Sequence, residues 1–198
     1  MCTQQSKSKK FLETVKRANN LKMQSFASVF VTVGTTQFDD LIDVILTDDV
    51  LTLLQRIQCK LLKIQYGAGK QIDSTTIDRI ERKFSIKIQC YDFKANILAD
   101  ITSSDLVISH AGAGSCIEVL TSKIPLIVVV NDQLMHNHQT ELAQQLFNDS
   151  HLLYCSPSTL TETLDDIGRK VSSLKPYEAG HNNMTKFVNH LSSLMGFE

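Results

Sequence analysis

The sequence predicts an α/β domain, a parallel sheet wound on both faces by helices, and three observations predict it. Short apolar, β-branched runs alternate along the 198 residues with segments whose apolar residues recur at helical spacing. The run at 125–130, Pro-Leu-Ile-Val-Val-Val, is apolar throughout, as a strand covered on both faces must be. Glycines stand where several runs end, at Gly34, at Gly67 and Gly69, and at Gly112 and Gly114.

The first strand is expected over 28–33, closed by Gly34-Thr35-Thr36. A helix follows over 38–57, with Leu41, Ile42, Ile45, Leu46, Leu53, Leu54 and Ile57 on one stripe. Strand 61–66 runs into Gly67-Ala-Gly69, helix 75–84 leads to strand 86–91, and a short helix at 96–103 leads to strand 106–109. The glycine turn 110–114 opens a helix over 115–122. Strand 125–130, helix 136–147, a short strand at 152–154 and helix 159–173 complete the alternation, and a last helix is expected over 183–195. Repeated βα units of this length specify a parallel, Rossmann-like sheet with right-handed crossovers.

Composition bounds the function. Hydrophobic residues make up 42% and charged residues 21%, which is ordinary for a globular chain, and a formal net charge of −1 gives no case for a nucleic-acid partner. Five scattered cysteines without a Cys-x-x-Cys spacing suggest neither a disulfide framework nor a zinc site. The longest apolar run is far too short to cross a bilayer. Residues 1–25 carry Lys7, Lys9, Lys10, Lys16, Arg17 and Lys22 against Glu13 alone. They read as a basic, flexible extension ahead of a single domain over 26–198.

The segment Ser104-Asp-Leu-Val-Ile-Ser-His-Ala-Gly-Ala-Gly-Ser-Cys-Ile-Glu118 carries most of the functional information: a buried strand, a glycine turn, a helix start and a carboxylate. A helix N-terminus offers unpaired N–H groups and the positive end of the helix dipole, so it holds a phosphate without a lysine. Ser115 and Glu118 also fit a Ser-x-x-Glu capping box, a purely structural device, and on these residues both readings stand. His110 is either a donor to a phosphate or substrate hydroxyl or a partly buried strand-end side chain. Glu118 either accepts from a ribose diol or caps the helix. Asn137 and Gln139, after the fifth strand, are further candidates for ligand contact. His136 and His138 lie two apart and do not share a helix face, so no metal site is expected there. The chain has no Gly-x-x-x-x-Gly-Lys-[Ser/Thr], no Gly-x-Ser-x-Gly and no Gly-x-Gly-x-x-Gly after the first strand. That argues against P-loop hydrolysis, serine esterase chemistry and conventional NAD binding.

Several blocks in order carry a resemblance. Val31-Thr-Val-Gly-Thr-Thr36, Asp105-Leu-Val-Ile-Ser-His-Ala-Gly-Ala-Gly-Ser115, Lys123-Ile-Pro-Leu-Ile-Val-Val-Val-Asn-Asp132, Asn137-His-Gln139, Leu174-Lys-Pro176 and His181-Asn182 resemble the small catalytic subunit of the eukaryotic UDP-N-acetylglucosamine transferase of the dolichol pathway. That family is similar to the C-terminal, donor-binding half of bacterial two-domain (GT-B) glycosyltransferases. The resemblance implies a UDP-N-acetylglucosamine (UDP-GlcNAc) site formed by Gly34, Thr35, His110, Gly112, Ala113, Gly114, Ser115, Glu118, Asn137 and Gln139. In it the glycine turn faces the diphosphate and Glu118 holds the ribose.

The same resemblance implies an inverting transfer of N-acetylglucosamine to dolichol-diphosphate-N-acetylglucosamine, with no cofactor and no obligatory metal. His110 is the one candidate catalytic residue, the base being unassigned. A membrane-anchored partner subunit would bring the dolichol-linked acceptor, forming a heterodimer on the cytosolic face of the endoplasmic reticulum, and neither half would act alone. The last helix would dock on that partner through Met184, Phe187, Val188, Leu191 and Leu194. His136 departs from the family pattern, which has an aspartate there, and the basic extension lies outside the resemblance. A different reading of the same residues is a nucleotide-sugar-binding module without transferase activity, regulatory or scaffolding.

Overall fold

A computed structural model describes residues 24–130 and 137–178, of which 137–140 by their backbone alone. Six strands form one sheet: β1 (Ser28–Thr32), β2 (Leu61–Gln65), β3 (Lys87–Tyr91), β4 (Leu106–His110), β5 (Leu126–Val129) and β6 (Leu153–Cys155). Their order is β3-β2-β1-β4-β5-β6, and every neighbouring pair is parallel. The helices are α1 (Asp39–Ile45), α2 (Asp48–Arg56), α3 (Ser74–Phe84), α4 (Leu98–Thr102), α5 (Ala113–Thr121), α6 (Asn137–Asn148), α7 (Leu160–Leu164) and α8 (Ile167–Ser172). A 3₁₀ turn, Pro157–Thr159, precedes α7.

Alternation along the strands divides the core in two. Val29 and Val31 of β1, Leu106 and Ile108 of β4, and Ile127 and Val129 of β5 face one cluster. Leu41 and Ile45 of α1, Leu51 and Leu54 of α2, Ile80 of α3 and Leu160 of α7 cover it. Phe30, Val107, Leu126 and Val128 point the other way, onto Ile101 of α4, Cys116, Val119 and Leu120 of α5, and Ala143 and Leu146 of α6. Burial on both faces makes these strands read as unbroken apolar runs.

Chain order reverses between β1 and β4, and the register pairs Val31 with Ile108 and Thr32 with Ser109. The turns that leave these two strands therefore lie side by side at the carboxyl edge of the sheet. In an open parallel sheet, this switch point is where a crevice opens.

The structure corrects three sequence expectations. The single helix expected over 38–57 is two, because Thr47 leaves helical geometry (φ −70°, ψ 150°) and its side chain accepts from Val50 N–H at 3.5 Å. Asp48 and Asp49 then occupy the first turn of α2, where the helix dipole favours acidic groups. The helix expected over 159–173 divides into the 3₁₀ turn, α7 and α8. The helix after the glycine turn begins at Ala113 rather than Ser115, with Gly112 at its N-cap. The expected extension lies outside the described residues except for Gln24 and Ser25. The last helix, with Met184, Phe187, Val188, Leu191 and Leu194, lies outside them entirely.

Candidate functional site

Beneath the switch point, β1 and β2 end in a buried polar pair. Thr32 Oγ1 donates to Gln65 Oε1 at 2.6 Å and accepts from Gly34 N–H at 3.0 Å. The chain then turns sharply: Gly34 has φ +63°, and both Thr36 N–H and Thr36 Oγ1 donate to Val33 O, at 3.3 and 2.8 Å. Ser109 Oγ donates to His110 O at 3.0 Å at the end of β4.

The His110 imidazole joins the two turns. A Cβ on Gly34 would lie 2.8 Å from its Cε1, and one on Gly112 would lie 2.3 Å from its Nε2. The glycines on either side are thus the space the ring occupies. His110 is 7% exposed and its Nδ1 has no hydrogen-bond partner among the described residues. Burial lowers its pKa below the ordinary 6.5, opposed in part by the Thr32 backbone, so the ring is neutral at pH 7.

The N-terminus of α5 is open. Its first intrahelical bond runs from Cys116 N–H to Gly112 O at 3.0 Å, which leaves the N–H groups of Ala113, Gly114 and Ser115 ahead of the ladder. No side chain caps it. Ser115 sits at the third helical position, so the Ser115–Glu118 capping box does not form: β4 ends at His110 and the helix starts three residues sooner than a cap at Ser115 requires. Gly114 is exposed, and a Cβ placed on it meets nothing within 4 Å among the described residues. Just inside the helix, Cys116 is buried and its thiol pushed up to about 12, so it stays protonated.

One turn along α5, half-buried Glu118 makes no side-chain hydrogen bond among the described residues. It lines a cavity of about 280 Å³ together with Gly34, Thr35 and Gln65 on one side and Phe93, Lys94, Ala95, Asn96 and Ile97 on the other. The 93–97 wall follows β3 and is tied to a buried carboxylate. Asp100 Oδ2 accepts from Lys94 Nζ and from Tyr91 Oη, both at 2.7 Å, and Asp100 Oδ1 accepts from Lys63 Nζ at 3.2 Å. Burial alone would raise the Asp100 pKa, but the donors from Lys94, Tyr91 and Lys63 outweigh it and hold it below the carboxylate norm.

The structure thus gathers Gly34, Thr35, His110, Gly112, Ala113, Gly114, Ser115 and Glu118 at one sheet edge. Asn137 and Gln139 begin α6, after β5, but their side chains are outside the described set. Sequence reading passed over the 93–97 wall, which has no glycine. Its one signal was position, after a strand of the same parallel sheet. The turn Gly67-Ala-Gly69, grouped with the others in the sequence, is filled by the protein. A Cβ on Gly67 would come within 2.2 Å of Thr36 O, and one on Gly69 within 2.4 Å of Asp39 Oδ1. It buttresses the β1 turn through Ala68 N–H to Thr36 O at 3.1 Å.

Among the described residues no three His, Cys, Asp or Glu side chains are grouped to hold a metal ion, and no helix is long and apolar enough to cross a membrane.

Comparison with known proteins agrees with this architecture. Residues 28–195 match the model of the glycosyltransferase family 28 C-terminal domain. The UDP-N-acetylglucosamine transferase subunit ALG13 of Homo sapiens is 45% identical over 133 residues, 67% of this chain, and the matched stretch spans 11% of the human protein. The subunit of the same name in Candida glabrata is 32% identical over 197 residues, covering 84% of this chain and 98% of its own length. An NMR solution structure of ALG13 superposes with a TM-score of 0.58 at 28% identity, covering 83% of this chain and 95% of that one. Acinetobacter baumannii MurG superposes on 74% of this chain and 41% of its own, with a TM-score of 0.52 at 18% identity, and so shares the fold. The predicted α/β class, a Rossmann-like sheet equivalent to one half of a two-domain glycosyltransferase, is the one observed, and the chain belongs to glycosyltransferase family 28, C-terminal domain type, and within it to the ALG13 subunit family.

Proposed function

We propose that this chain is the UDP-GlcNAc-binding catalytic subunit of a two-subunit N-acetylglucosaminyltransferase that adds the second N-acetylglucosamine to dolichol-diphosphate-N-acetylglucosamine. The observation that carries the reading is the uncapped N-terminus of α5 beside the open face of Gly114, one helical turn from a cavity-lining carboxylate that has no partner among the described residues. The free N–H groups of Ala113, Gly114 and Ser115 receive the diphosphate, assisted by the helix dipole. Glu118 takes the ribose diol, Gly34 and Thr35 close the opposite side, and the uracil ring lies toward the 93–97 wall. Asn137 and Gln139, the first and third residues of α6, are assigned as further donor contacts in this reading.

The leaving group of the reaction is UDP, which departs with more negative charge than it carried in the donor. Fixed N–H dipoles aimed at the diphosphate stabilise that charge as it develops and need no reorganisation to do so. His110, neutral and wedged between Gly34 and Gly112, holds the two turns at a fixed separation. The proton of the acceptor hydroxyl goes to a base on the acceptor side, supplied by a membrane-anchored partner. In this reading the chain is cytoplasmic and works as a peripheral member of a heterodimer on the endoplasmic reticulum, docked through Met184, Phe187, Val188, Leu191 and Leu194.

The test is reconstitution of transfer with and without the membrane subunit, alongside UDP titration of the chain alone. Glu118→Ala is expected to weaken UDP binding about 10- to 100-fold, the loss of hydrogen bonds to a charged acceptor, with little change in melting temperature. Robust transfer by the isolated chain contradicts the two-subunit reading. UDP binding without transfer in any combination leaves a nucleotide-sugar-binding module instead.

A further inference from the structure

The wall of the cavity opposite Glu118 is exposed loop from Asp92 to Asn96, and most of its bonds are local. Phe93 N–H donates to the adjacent Asp92 Oδ1 at 2.6 Å, and Leu98 N–H to Asn96 Oδ1 at 2.8 Å. Gly67 N–H to Asp92 O, at 3.2 Å, ties down only the beginning of the loop. The middle is held by one side chain among the described residues. Lys94 Nζ lies 2.7 Å from Asp100 Oδ2 and 4.0 Å from the centre of the Tyr91 ring.

An exposed ion pair ordinarily contributes little, since both partners are mobile and solvated. Here one partner is fixed. The Asp100 side chain is 11% exposed and is shared with Lys63, itself anchored to Ser103 Oγ at 2.8 Å, and with the Tyr91 hydroxyl. Two lysines on one carboxylate separate two roles. If Lys94 is removed, Asp100 keeps Lys63 and Tyr91, so no buried charge is left uncompensated and the fold does not depend on Lys94. The cavity wall does depend on it.

We propose that Lys94 is a positioning residue for the nucleotide: its ammonium group clamps the 93–97 wall to Asp100 and Tyr91, so that the cavity facing Glu118 is formed before the ligand arrives. The inference rests on the donor-binding reading and deepens it. A preformed wall spares the ligand the cost of ordering the loop, and that cost falls on affinity rather than on stability.

The experiment is NMR titration of the full chain with UDP and with uridine, for wild type, Lys94→Met, Lys94→Arg and Glu118→Ala, with melting temperatures alongside. Lys94→Met is expected to weaken both ligands by on the order of three- to tenfold. Its melting temperature should move by no more than about 3 °C, and Lys94→Arg should bind as wild type. Wild-type affinity in Lys94→Met overturns the proposal. So does a loss seen with UDP but not uridine, which means direct contact with phosphate, and so does a melting temperature lowered in step with affinity. If wild type does not bind UDP, the donor reading falls and the clamp with it. If Glu118→Ala loses affinity and Lys94→Met does not, only the clamp falls.

Discussion

The tripeptide Gly-Ala-Gly occurs twice at the carboxyl edge of the sheet, at 67–69 after β2 and at 112–114 after β4, and the two copies sit in opposite surroundings. At 67–69 both glycines are consumed by the protein: Gly67 has φ +59° and a Cβ there would collide with Thr36 O, while Gly69 is pressed against Asp39. At 112–114 only the first is consumed, by the His110 ring, and a Cβ on the second meets nothing within 4 Å among the described residues. A glycine pair in a sequence says that side chains are excluded. Only the structure says what excludes them, and in the proposed reading the open side of Gly114 takes the diphosphate.

The comparison is easiest to break at the filled turn. Gly67→Ala should cost roughly 2–4 kcal/mol of stability, from a left-handed backbone and an overpacked contact together, as read by chemical denaturation. If it unfolds no more readily than wild type, the buttress is not rigid and the contrast between the turns loses its basis.

A smaller effect sharpens the other side. His110 is buried, its Nδ1 has no partner among the described residues, and its folded pKa lies below the unfolded value of 6.5. The unfolded chain therefore takes up the proton first as pH falls. The stability contributed by the neutral ring is complete above about pH 6.5 and is lost as the pH drops toward the folded pKa. Melting temperatures should decline between pH 7.5 and 5.5, and His110→Asn should flatten that decline while lowering the plateau. An unchanged slope in the variant would place the titrating group elsewhere.

Much of this was legible in the sequence because burial on both faces writes itself as unbroken apolar runs, as at Leu126–Val129, and because the turns leave Gly34, Gly112 and Gly114 behind. The break at Thr47 was not read. The apolar stripe continues across it from Ile45 to Val50, and only the Thr-Asp-Asp that caps α2 marked the joint. Ser115 looked like a cap because serine prefers that position, yet the helix had already begun at Ala113. The Lys63, Tyr91, Lys94 and Asp100 cluster was invisible for a different reason: β2, β3 and α4 bring it together, and no local pattern encodes that meeting. The wall of the cavity belongs to topology rather than to motif.

The central claim is that the open face of Gly114 receives the diphosphate. Gly114→Asp tests it most directly, with UDP affinity by calorimetry and melting temperature measured on the same sample. A carboxylate at the second position of α5 suits the helix dipole, so the melting temperature should be unchanged or slightly higher, a gain of about 0.3–1 kcal/mol. The same carboxylate projects into the space assigned to the diphosphate, and like-charge repulsion should lower UDP affinity by about a hundredfold or more. Wild-type affinity for UDP in a stable Gly114→Asp chain would contradict the claim.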